Sequence, residues 1–171
     1  ELGFLYGGSL SILDNFHDLD YLSPTGGAVV KYNFTKPFSL KSKLLYHIKV
    51  READFHYLTS PFLTQFSFGK NKWGFFCNTG FYLGYLMKVE PIYQEPSSLE
   101  EFNKFDFGLI FGYGVSFQIS ERTRIFLESS LDYALNTALI NDNTSYPDYN
   151  NIKTMNGVLG LTYMFWSNNK T

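Results

Sequence analysis

The residues of this chain that could do chemistry are ionisable side chains that recur at a spacing of two. Lys41, Lys43, His47, Lys49 and Arg51 share one parity in a single stretch. Arg124, Glu128 and Asp132 share one parity in another, and Asp106 lies in a third. In an extended strand successive side chains point to opposite faces, so residues of one parity share a face. The opposite parity is apolar in both basic and acidic stretches: Leu40, Leu44, Tyr46, Ile48 and Val50 in one, Ile125, Leu127, Leu131 and Tyr133 in the other. Charges on an enclosed face are tolerated only when paired and hydrogen-bonded. The set is therefore expected to form an interior ion-pair network, with Glu128 or Asp132 paired to the basic stretch. Two functional alternatives use the same residues: a narrow proton or ion path, and an anion-binding vestibule near Lys49 and Arg51.

Catalysis has little to stand on. A serine hydrolase needs a Ser within hydrogen-bond reach of a His that a carboxylate orients. His17 and His56 fall in different predicted loops, and His47 has only Lys and Leu as neighbours on its face. The His-x-Ser pattern of a lipid A deacylase-like barrel does not occur. No enzymatic activity is expected, and a lipid-modifying enzyme is the weakest of the functional readings. Three His and one Cys offer no transition-metal spacing. Cys77 reads as a small residue in a wall. Asp142 and Asp148 could hold a calcium ion through oxygens but lack a hand-like spacing, and they read as ordinary loop solvation. No cofactor is expected. A net charge of -2 gives no case for a nucleic-acid partner.

The elements that must position these residues are long strands. In 105–118, FDFGLIFGYGVSFQ, Phe105, Phe107, Leu109, Phe111, Tyr113, Val115 and Phe117 alternate with Asp106, Gly108, Ile110, Gly112, Gly114, Ser116 and Gln118. At roughly 3.3 Å per residue, such a strand, tilted, covers the ~25 Å apolar band of an outer membrane. Glycine and serine on the less apolar face suit a crowded barrel interior. The same alternation predicts strands at 2–12, 26–34, 39–51, 59–68, 73–87, 123–135 and 153–165. The connections at 13–25, 52–58, 88–104 and 136–152 are longer than those at 35–38, 69–72 and 119–122. Pro37 marks the first of the short turns. The fold expected is all-β: a single domain over 1–171 forming an eight-stranded antiparallel up-and-down transmembrane β-barrel, with both termini periplasmic. Aromatic residues at 19%, with 18 Phe and 13 Tyr, would supply a lipid-facing wall and two interface girdles. Trp73, Phe38, Phe68 and Phe165 are expected near the inner girdle, Tyr46 and Tyr85 near the outer one.

From Tyr57 onward the chain resembles the small outer-membrane barrels of Bacteroidota, the PorT-like or general outer membrane protein beta-barrel families. The residues that carry this are YLTSPFLTQFSFG at 57–69, TGFYLGYLM at 79–87, FDFGLIFGYGVSF at 105–117 and GLTYMF at 160–165. Alternate apolar residues leading to Phe165 also resemble the terminal-strand signal read by the barrel-assembly machinery. The resemblance implies a barrel fold and the cell outer membrane as location. It implies a link to secretion machinery of the PorT-like type, and supplies no catalytic residues.

A barrel of eight strands is too narrow for an open channel, so its wall, loops and turns are what it can offer a partner. Besides outer-membrane lipids, the expected partner is another outer-membrane barrel or a lipoprotein, bound by a structural or accessory subunit. The docking residues expected are Ile92, Tyr93, Leu99 and Phe102 in one long loop, and Leu139, Ile140, Tyr146 and Tyr149 in the other. The alternatives are packing of these residues over the barrel mouth, and a stand-alone barrel whose loops act as adhesin or receptor.

Overall fold

The computed structural model describes residues 1–12, 22–50, 53–70, 72–91, 103–135 and 153–165. The strands are β1 (Leu2–Ile12), β2 (Leu22–Asn33), β3 (Phe38–Val50), β4 (Ala53–Phe68), β5 (Trp73–Pro91), β6 (Phe105–Gln118), β7 (Thr123–Ala134) and β8 (Lys153–Tyr163). They form a closed barrel in chain order. Each pairs antiparallel with the next, and the seam closes with β1 against β8, Leu2 opposite Tyr163 and Leu10 opposite Met155. Closure leaves no strand edge unpaired, which is what a sheet in hydrocarbon requires.

Residue type follows parity around the whole wall. In β8 every second residue is buried from Thr154 to Thr162, and its neighbours face out. In β6 the side chains of Phe105, Phe107, Leu109 and Phe111 are all exposed, Phe111 at 57%, while Asp106, Gly108 and Ile110 are buried. Phe4 reaches 76% and Leu159 60% on the strands that close the seam. A continuous apolar band of this extent is untenable in water but is the surface a membrane barrel presents to lipid.

The structure lengthens three of the predicted strands. β2 starts at Leu22 and takes in Pro24, which lies opposite Gly8 of β1. The β2–β3 ladder begins only at Thr25, so the proline sits where its strand has lost one neighbour, a place proline tolerates. β4 starts at Ala53, so most of the predicted loop 52–58, His56 included, is strand. A bulge hides this continuation: His56 lies opposite Lys88 but Tyr57 opposite Leu86, leaving Met87 as the extra residue. Beyond it the inward parity of β5 slips by one, and Val89 rather than an even-numbered residue packs on Phe55, Tyr57 and Leu86. β5 accordingly runs on to Pro91. Only 51–52 separate β3 from β4, so the alternation of long and short connections breaks there. β8 stops at Tyr163, two residues earlier than its pattern.

The turns at 34–37 and 119–122 close alike. Phe34 N and Thr35 N both donate to Phe38 O, and Ile119 N and Ser120 N both donate to Thr123 O. A hydroxyl backs each: Thr35 Oγ1 accepts from Phe38 N at 3.2 Å and Ser120 Oγ from Thr123 N at 3.1 Å.

The lumen is filled. Leu5, Val29, Leu45, Phe76, Phe126 and Val158 pack as one apolar layer, and Leu63, Tyr82 and Ile110 as another. Glycines make room for the rings. A Cβ on Gly114 would lie 2.4 Å from Phe76 Cζ, and one on Gly160 would lie 2.2 Å from Phe126 Cζ. Gly160→Ala should therefore cost about 1–3 kcal/mol by overpacking, seen as a lower urea midpoint for the folded band on unheated gels. On the outer face, a Cβ at Gly157 would meet nothing within 4 Å. Gly157→Ala should stay within about 0.5 kcal/mol of the parent in the same assay.

Candidate functional site

Along the barrel axis, the inward charges of β3 meet that of β7 across the lumen. These strands are four apart in a ring of eight, hence on opposite sides. Only long side chains can bridge that gap, and Lys and Glu are long. Lys41 Nζ donates to Glu128 Oε2 and Lys43 Nζ to Glu128 Oε1, each at 2.5 Å, with Glu128 only 1% exposed. One carboxylate faces two ammonium groups, so positive charge is left over. Ring faces offset part of it: Lys41 Nζ lies 5.0 Å from the Phe76 centroid and 4.6 Å from that of Phe126. These are the rings that Gly114 and Gly160 admit, so glycine, ring and ion pair form one packed unit.

Other inward ionisable residues have partners on neighbouring strands. Asp106 accepts from Tyr82 Oη at 3.0 Å. Asp132 accepts from Asn156 Nδ2 at 2.8 Å. An aspartate is too short to cross the lumen, so each finds a donor on an adjacent strand. His47 shares a hydrogen bond of 3.0 Å with Thr59 Oγ1 and meets the Tyr57 ring edge-on. Arg124 lies near the short-turn end, its Nη1 3.8 Å from Glu1 Oε1, which is also 3.8 Å from Lys31 Nζ. Glu1 further accepts from Asn33 Nδ2 at 3.0 Å and Thr162 Oγ1 at 3.1 Å. Burial pushes the Glu1 carboxyl up, but Lys31, Asn33, Arg124 and Thr162 together hold it below the usual carboxylate value.

Lys31 and Asn156 are inward polar residues that the sequence argument did not single out. Parity could have found Lys31, which sits between outward Val30 and Tyr32. The apolar layers were missed because Leu5, Leu45 and Phe76 interrupt the polar parity of their strands. The Lys49 side chain and Arg51 lie outside the described residues, and with them the anion-binding vestibule. So do His17, Asp142 and Asp148, and the loop residues Ile92, Tyr93, Leu99, Phe102, Leu139, Ile140, Tyr146 and Tyr149. Of the girdle residues, Phe38, Phe68, Trp73 and Phe165 are exposed toward one end and Tyr46 and Tyr85 toward the other.

Residues 1–139 match the family model described as outer membrane protein beta-barrel domain. Among solved structures, Neisserial surface protein A superposes with a TM-score of 0.70 at 9% identity, over 96% of each chain. The outer membrane protein OprG of Pseudomonas aeruginosa gives 0.63 at 14% identity, over 97% of this chain and 96% of its own. The attachment invasion locus protein of Yersinia pestis, in complex with the heparin analogue sucrose octasulfate, gives 0.56 at 15% identity, over 95% of each chain. At such identities the likeness is one of fold. No curated protein matches the sequence.

Glu128→Gln leaves two buried ammonium groups without their carboxylate and should cost about 3–5 kcal/mol. Urea titration followed by heat-modifiable gel migration reads this as a lowered midpoint. Lys41→Met/Lys43→Met/Glu128→Leu removes all three charges together and should recover most of the loss, because apolar replacement of a buried ion pair is often neutral. An unchanged midpoint in Glu128→Gln would show that the ion pairs do not hold the barrel.

Proposed function

Since the chain belongs to the outer membrane protein beta-barrel family, we propose that it is an integral outer-membrane protein that conducts nothing and serves as a structural or accessory subunit of a larger outer-membrane assembly. The assembly is secretion or assembly machinery of the PorT-like type that its sequence resembles. The observation that carries this reading is the filled lumen: Glu128 with Lys41 and Lys43, enclosed by Phe76 and Phe126. A barrel so filled offers partners its wall, rims and loops rather than a passage. The partner is another outer-membrane barrel or a lipoprotein, reached through the connections 92–104 and 135–152. No catalytic step is assigned to the chain. A second reading, in which those connections act as adhesin or receptor, takes its support from the shared fold of the Yersinia attachment invasion locus protein.

Two measurements on protein purified from native membranes in mild detergent test the proposal. A stoichiometric co-purifying partner is expected, together with no resolvable single-channel conductance in planar bilayers. Deleting Tyr93 to Leu99 should abolish co-purification while leaving the barrel heat-modifiable. A monomer that binds an external surface would favour the adhesin, and discrete conductance steps would overturn the closed-lumen premise.

A further inference from the structure

The short-turn end of the barrel holds a cavity that the lumen network does not use. Its volume is about 270 Å³, and its lining includes Lys36, Lys72 and Arg124 together with Ser116 and Gln118. Turn 34–37 brings Lys36 to it and the β4–β5 turn brings Lys72. Neither lysine forms an ion pair among the described residues. Arg124 keeps its guanidinium partly exposed while Glu1 stands 3.8 Å away. The cavity thus gathers three cations and neutral donors, a set suited to an anion with several acceptor oxygens.

Depth in the membrane narrows the choice of anion. Trp73 lines the cavity and meets Phe117 at 4.8 Å between tilted rings, while Tyr163 and Phe165 meet at 5.0 Å on the same rim. Exposed aromatic rings of this kind mark the level where the hydrocarbon ends and headgroups begin. Short turns in outer-membrane barrels face the periplasm, so the headgroups at this rim are phospholipid phosphates. The same end carries Lys70 and Arg122 besides, against Glu1 and Glu121, and so attracts anions from a distance.

We propose that this rim cavity, centred on Lys36 and Lys72, binds a phosphate group, carried by an inner-leaflet phospholipid headgroup or by soluble phosphate. The proposal stands apart from the subunit reading, since it requires only the barrel and its orientation. Folded full-length protein in maltoside micelles, which contain no phosphate, is titrated with dimyristoylphosphatidylglycerol and separately with inorganic phosphate. The readout is Trp73 fluorescence in a Trp166→Phe background, because the chain has 2 Trp. Saturation by the lipid alone supports the site and assigns it to a headgroup, whereas saturation by inorganic phosphate as well supports it and assigns a soluble anion. Lys36→Gln/Lys72→Gln should weaken either titration at least tenfold with gel migration of the folded band unchanged. Lys70→Gln, which lies outside the cavity, should change it less than twofold. Failure of both probes to saturate, full binding by the double variant, equal binding of oleate, or an equal loss in Lys70→Gln would overturn the proposal.

Discussion

A peptide group in hydrocarbon has no water to bond, and that constraint decides everything else in this molecule. Only a sheet with no edges satisfies it, so the ladder must return from β8 to β1. Closure then divides the side chains into two populations with opposite requirements. Those facing lipid must be apolar, and those facing inward must fill a space only eight strands around. The alternation of buried and exposed residues along β8 and over 105–113 of β6 is the direct record of that division.

Filling the lumen with apolar residues alone would have been stable enough, since buried ion pairs rarely outdo hydrophobic replacements. It would also have turned each strand into an unbroken apolar run. Polar inward residues keep the strand periodic, and the interior then has to satisfy them. Two solutions share the lumen here. Long side chains cross it, as Lys41 and Lys43 do to reach Glu128. Short ones are satisfied locally, as Asp106 is by Tyr82 and Asp132 by Asn156. Rings occupy what remains, and their fit depends on glycines opposite them.

Parity makes much of this legible in the sequence alone. It assigned the inward face of Lys41, Lys43, His47, Asp106, Arg124, Glu128 and Asp132, and the bounds of β1 and β6, because a buried face and a lipid face leave different residues at alternate positions. It could not say which inward residue meets which, since that depends on position across and along the barrel rather than on strand neighbours. The β4 start was lost for a related reason. One bulged residue, Met87, shifts the pattern by one, and a period-two argument reads the shift as a loop. Pro24 misled in the same way, being a turn signal that the structure places at a one-sided position of β2.

A filled barrel confines function to its surfaces, and the two ends are not alike. At the short-turn end the connections are tied down by hydroxyl-backed turns and by ladder-end contacts such as Gln118 N to Lys72 O at 2.8 Å. Their charges are therefore held at fixed depth beside the aromatic rim. At the other end, 92–104 and 135–152 are long enough to carry side chains well beyond the membrane surface. Fixed cations at the headgroup level suit recognition of a small repeated anion, whereas long aromatic-bearing connections suit a single large partner. The barrel between them contributes a rigid distance, set by strands of 11 to 19 residues and by an ion pair that spans the lumen from β3 to β7.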